Sequence, residues 1–255
     1  MANRQRAEAR RKAAAKAARA ESGAKPVMWI VAAAIVVVAV VVAVVVVSGG
    51  GGGETASSSS VGGTNGTTET TGVGLIDGDG FPYSQPVTIE GESLPAYDSQ
   101  AAFDDAVGTP APLLSGKDFQ GNEVVIDPAA NGPYMIVFLA HWCPHCNAEV
   151  PRLLDWKNAG LVPAELNIVG VATAVAAEAD NFPPAAWFST KGWSWPVIVD
   201  EYTLAGVAGT AATAFGASGW PYFVIIGEDG LVKVRKSGEL EVAELQAIVD
   251  EALAS

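Results

Sequence analysis

From Val27 to Val47 the chain runs twenty-one residues without a charge, and no other stretch narrows its architecture as far. A helix rises about 1.5 Å per residue, so this run spans roughly 30 Å, the thickness of a bilayer's hydrocarbon core. Valine is a poor helix former in water, but in lipid every backbone N–H and C=O must bond internally, which imposes a helix. The run therefore predicts a single transmembrane helix. Residues 1–26 carry eight Lys/Arg against two acids, whereas from Ser48 onward seven basic residues stand against twenty-six acidic ones. The positive-inside rule then keeps the N-terminus cytoplasmic and places the C-terminal bulk outside, behind a single-pass anchor in the cell membrane. A cleaved signal peptide is the competing reading; against it, the run exceeds the usual h-region of about 7–15 residues and no A-x-A site follows. No cysteine follows the run closely, as a lipoprotein anchor would need.

Beyond the run, Ser48 to about Gly80 is Gly, Ser, Thr and Asn with little to bury, including Gly49 through Gly53 in succession. That composition predicts a flexible tether. The expected organisation is a cytoplasmic basic tail over 1–26, a transmembrane helix over 27–47, a linker over 48–85 and a folded domain over 86–255. The acidic balance of that domain would repel phosphate backbones and no basic stripe interleaved with aromatics occurs in it, so nucleic acid is not an expected partner.

Within the domain, Leu113 to Ile126 carries turn signals at Gly116-Lys117 and Gln120-Gly121-Asn122 and reads as a hairpin. Met135 to Ala140 is a short apolar run suited to a buried central strand, followed by a helix-like stretch to about Ala159. Ile168–Ala172 and Pro196–Val199 read as further strands, Phe182–Lys191 and the Ala-rich Thr203–Phe215 as helices. Tyr222–Ile226 and Leu231–Arg235 flank a Glu228-Asp229-Gly230 turn, and Glu241–Leu253 is amphipathic, with Leu245, Ile248, Val249 and Leu253 on one face. Strands alternating with helices and closed by a hairpin indicate an α/β domain with a mixed sheet.

The only two cysteines, Cys143 and Cys146, fall between the central strand and the following helix. A thiol at a helix N-terminus meets unpaired N–H groups and the positive end of the dipole, which stabilise a thiolate. Cys143 is the expected nucleophile, and Cys146, one turn later, the thiol that resolves a mixed disulfide. A zinc site would need four ligands, and only His141 and His145, crowded on the same segment, are added to the thiols. A c-type haem attachment needs His where Asn147 stands. A purely structural disulfide would close a loop too small to constrain the unfolded chain much. No cofactor and no metal are expected.

The stretch His141-Trp142-Cys143-Pro144-His145-Cys146 resembles the W-C-x-x-C motif of the thioredoxin superfamily. Pro151 matches the proline of that family's active-site helix, and Gly219-Trp220-Pro221-Tyr222-Phe223 resembles its cis-proline loop. The resemblance implies a thioredoxin-like fold, a mixed central sheet flanked by helices, with Cys143 and Cys146 as a redox-active pair and Trp220-Pro221 lying against them. Within the superfamily, Cys146-Asn147-Ala148-Glu149-Val150-Pro151 looks like the membrane-tethered TlpA/ResA-type proteins, with Glu149 matching a glutamate that could move a proton for the resolving thiol. An ordinary solvated helix glutamate is the bland alternative. His145 resembles instead the C-P-H-C centre of DsbA-type oxidants, where an imidazolium would stabilise the Cys143 thiolate and tilt the couple toward oxidation. His141 reads as a solvated loop histidine. Trp142 and Trp220 either form an apolar collar for extended polypeptide or simply pack the loops. The expected partners are extracytoplasmic protein thiols or disulfides together with a membrane redox partner. A tethered copper or other metal chaperone and a non-catalytic thioredoxin-fold binding module are the alternatives, and the sequence leaves oxidase and reductase both open.

Overall fold

A computed structural model describes residues 75–255. The basic tail, the apolar run expected to cross the membrane, and residues 48–74 of the expected linker lie outside the described residues. Among the described residues no helix is long and apolar enough to cross a membrane.

In chain order the elements are β1 (Thr88–Glu90), β2 (Leu113–Lys117), β3 (Glu123–Ile126), α1 (Pro128–Asn131), β4 (Tyr134–Leu139), α2 (Pro144–Asn158), β5 (Asn167–Ala172), α3 (Pro184–Lys191), β6 (Val197–Val199), α4 (Thr210–Ala214), β7 (Tyr222–Ile226), β8 (Val232–Ser237) and α5 (Val242–Ala254). The main sheet has the order β6-β5-β4-β7-β8, with β4, β5 and β6 parallel and β7 and β8 antiparallel. This is the mixed sheet anticipated from the strand–helix alternation, with the thioredoxin-like arrangement implied by the motif.

β4 is buried along its whole length because both faces are covered. Side chains alternate along a strand, so Met135, Val137 and Leu139 pack on the layer containing α2, α3 and α5, while Tyr134, Ile136 and Phe138 join Leu114, Ile126 and Phe215 on the other side. β1, β2 and β3 form a separate three-stranded antiparallel sheet that meets β6 at its edge. The approach is close: a Cβ at Gly116 would stand 2.7 Å from Ile198 Cγ2. Gly116, flagged as a turn residue, is in β2 and is needed for contact instead.

Two expectations change. The Ala-rich segment Thr203–Phe215 is helical only over Thr210–Ala214. Gly206 at φ +72° and the extended Gly209 hold the preceding loop out of helix, and buried Asp200 fixes where the helix begins by accepting from the N–H groups of Ala211 (2.7 Å) and Ala212 (3.1 Å). The folded part also starts ahead of residue 86. Ile76 bridges Pro82, Ser84 Oγ accepts from the Tyr202 N–H at 2.8 Å, and Gln85 Nε2 donates to the Asp118 carbonyl at 2.6 Å. Composition marked 75–85 as linker, yet its polar side chains are partners of the domain's backbone.

Candidate redox site

The carboxyl end of β4 delivers the chain into His141-Trp142 and then into α2, with Cys143 at the N-cap and Pro144 in the first turn. Proline is favoured there because its missing N–H would have had no helical acceptor. The unpaired N–H groups of the first turn, those of His145 and Cys146 among them, favour a thiolate at Cys143. Both cysteines are buried, but Cys143 keeps 5% exposure and Cys146 none, so Cys143 lies nearer the surface of the two. Cys143 Sγ lies 3.5 Å from the Trp220 carbonyl oxygen, and the Trp220–Pro221 peptide is cis. The two segments singled out in the sequence, 77 residues apart, thus meet at one sulfur.

The two thiols have opposite electrostatics. A hydrogen bond from the Cys146 thiol, supported by the two helix N–H groups and the His145 charge, outweighs burial and brings the Cys143 pKa down to about 6. Cys146 is pushed far up by burial and by that same hydrogen bond, in which it is the proton donor. At neutral pH the pair is therefore one thiolate and one thiol.

Glu149 is fully buried one helical turn beyond Cys146, so the solvated-glutamate reading is excluded. Burial raises its pKa to about 7 against the opposing pull of the Leu240 N–H (3.0 Å from Oε2) and of Arg152 (3.5 Å). Its Oε1 is buried without a hydrogen-bond partner. The charge on Glu149 also contributes to the elevation of Cys146. His145 is exposed at the helix start, and its Nδ1 is 2.7 Å from Glu239 Oε1, an ion pair that raises the imidazole pKa.

His141 is not a solvated loop histidine. It is buried, Nδ1 is 2.9 Å from the Asp180 carbonyl and Nε2 accepts from the Ala176 N–H at 3.3 Å. Those partners require the neutral Nδ1–H tautomer, consistent with a pKa lowered by desolvation. With both nitrogens engaged His141 is withdrawn from metal ligation, and among the described residues no group of three His, Cys, Asp or Glu is placed to hold an ion. Trp142 donates to the Ala174 carbonyl at 2.6 Å and packs on the core, as Trp220 does, so both indoles at least pack the loops around the thiols.

Three participants have no local signal. Asn147 donates to the carbonyls of Cys143 (3.0 Å) and His141 (3.2 Å) while accepting from Trp187 (2.9 Å), which locks the turn bearing Cys143. Arg152 and Glu239 complete the surroundings of His145 and Glu149. Glu239 lies 94 residues from His145, and only the register of β8 and the start of α5 bring it there.

Residues 107–235 match the sequence model of the AhpC/TSA family. Among solved structures the chain is similar to StoA from Bacillus subtilis, at 18% identity over 55% of this chain and 98% of that one, with a TM-score of 0.43. It is similar to a thiol:disulfide interchange protein of the thioredoxin family from Chlorobium tepidum, at 27% identity over 58% and 98% of the two chains and a TM-score of 0.45. A DsbF homologue from Corynebacterium diphtheriae matches at 14% identity over 62% and 98%, with a TM-score of 0.48. No curated protein matches the chain.

Proposed function

We propose, for a chain that belongs to the AhpC/TSA family, a membrane-tethered extracytoplasmic thiol-disulfide oxidoreductase that exchanges disulfides with protein clients through Cys143-Pro144-His145-Cys146. The observation that carries the reading is the split thiol pair: a Cys143 that keeps slight exposure and a pKa of about 6, beside a fully buried, strongly raised Cys146. The tether is read from the Val27–Val47 run and its basic flank.

In the oxidising direction a client thiolate attacks the Cys143 sulfur of the Cys143–Cys146 disulfide and expels the Cys146 sulfur. Cys146 so buried is a poor leaving thiolate, and Glu149, with a pKa of about 7, is positioned one turn away to supply the proton that makes it a thiol. A second client thiolate attacks the client sulfur of the mixed disulfide and releases the Cys143 thiolate. The client then holds a disulfide and the enzyme two more electrons, which a membrane redox partner removes. Reduction runs the same steps backward. Stabilising the Cys143 thiolate stabilises the dithiol form, so the couple tilts toward oxidising its clients. A metal chaperone finds less support, because His141, the most obvious extra ligand, is committed to backbone partners.

In the full chain, Cys143→Ser abolishes exchange with a model disulfide, since no third thiol exists to replace it, and Cys146→Ser accumulates mixed disulfides with clients. The wild-type potential should lie above the roughly −270 mV of thioredoxin. Undiminished exchange by Cys143→Ser would overturn the enzyme reading; a potential at or below thioredoxin's would make the protein a reductase.

A further inference from the structure

The loop between β8 and α5 reaches back to the start of α2 through a single carboxylate. Glu239 Oε1 is 2.7 Å from His145 Nδ1, and its Oε2 pairs with Arg152 Nη1. Arg152 lies between three acids: Glu239, Glu149 at 3.5 Å on its own helix, and Glu241 at 3.4 Å at the start of α5. The next residue of the loop, Leu240, donates its N–H to Glu149 at 3.0 Å. One four-residue stretch thus contacts both ionisable groups that flank the thiols.

We propose that Glu239 is a positioning residue of the redox centre, its carboxylate holding the His145 ring beside Cys143 and drawing the Arg152 guanidinium away from buried Glu149. This rests on the disulfide-exchange reading for its functional meaning, but not for its physical content. The groups that face His145 are Glu239 and the Cys143 sulfur; those that face Glu149 are Arg152, Glu239, the Leu240 N–H and Cys146. A carboxylate against His145 favours the imidazolium, and the charge on His145 in turn lowers the Cys143 pKa, so the pair as a unit favours the thiolate. On the other side, an Arg152 occupied by Glu239 and Glu241 neutralises Glu149 incompletely, which leaves that acid able to hold a proton near neutrality. The same contact therefore pushes two groups in opposite useful directions: Cys143 toward the anion and Glu149 toward the acid.

The test is the isosteric Glu239→Gln variant of the full chain, in which ultraviolet thiolate absorbance and the pH profile of iodoacetamide alkylation read Cys143 directly. Losing the carboxylate should raise the Cys143 pKa and slow alkylation at pH 6 by about threefold. Glu239→Asp should restore part of the rate, and in a His145→Gln background Glu239→Gln should have no further effect on Cys143, which a merely structural role would not produce. A Cys143 titration in Glu239→Gln that superimposes on wild type, or an equal shift with and without His145, would overturn the proposal. Should the variant fold poorly, proton resonances of the wild-type His145 ring decide: a titration above the ordinary histidine value of about 6.5 supports the pairing and one at or below it refutes it. The thiolate titration needs no client, so a chain inactive in exchange would refute the enzymatic reading while leaving this result intact.

Discussion

Glu149 has surroundings that resist its charge, and that has a cost measurable apart from any catalysis. An unfolded glutamate titrates near 4.3, whereas burial brings this one to about 7. Between those values the folded chain holds more protons than the unfolded one, so the stability associated with Glu149 is fully present below about pH 4 and is lost as pH rises through about 7. The gap corresponds to about 3.5 kcal/mol, with the opposing pull of Arg152 already included. Glu149→Gln keeps an oxygen for the Leu240 N–H and cannot ionise. It should match wild type near pH 4 and exceed it by about 3 kcal/mol at pH 8 in urea unfolding followed by tryptophan fluorescence. Cys143 runs the opposite way, its depressed pKa giving stability present above the unfolded value and lost as pH falls through about 6, but it is common to both proteins and cancels in the difference. A difference that does not change with pH would show that Glu149 ionises in the fold as readily as in the unfolded chain, and that burial does not raise it.

α2 contains a defect that the tertiary structure repairs. Pro151 has no N–H, which orphans the carbonyl four residues earlier, and that carbonyl belongs to Asn147, the residue whose side chain fixes the Cys143 turn. Lys191, in the last turn of α3, donates Nζ to it at 3.1 Å. Lys191→Met should cost about 1 kcal/mol, and much less in a Pro151→Ala background, where a helical N–H takes over the carbonyl. Equal costs in both backgrounds in a denaturation cycle would remove this role from Lys191. The sequence made the helix, its proline and the preceding strand legible because those rest on local pattern: a run of apolar residues, a C-x-x-C, a helix period. It did not reveal Lys191, the buried state of His141, or Glu239. The His141 ring is satisfied by Ala176 and Asp180, and Glu239 is placed by strand pairing, so neither has a signal within several tens of residues. The long Ala-rich helix failed for a related reason. Alanine favours helix wherever the backbone is free, but Asp200, beyond the end of β6, claims the N–H groups that define where this helix starts.

At the scale of the whole chain, the folded unit is held at its periphery by polar anchors as well as by its two apolar layers. Buried Arg235 on β8 pairs with Asp104 and donates to the Pro95 carbonyl at 2.7 Å, which fastens the irregular segment ahead of β2 to the sheet edge. Residues 75–85 are fastened on the same principle, through Ser84 to Tyr202 and Gln85 to Asp118. Proteases cut where backbone is not committed to such bonds, so the boundary of the resistant fragment reports where the fold begins. A protease added outside intact cells should therefore release a domain whose first residue, found by N-terminal sequencing, lies between 48 and 74, while the basic residues 1–26 stay protected behind the membrane. A fragment starting beyond residue 85 would mean that the 75–85 contacts do not hold in solution. Loss of the N-terminal residues to the external protease would instead reverse the orientation read from the eight basic residues ahead of the apolar run, and with it the extracytoplasmic setting in which the thiol pair is proposed to work.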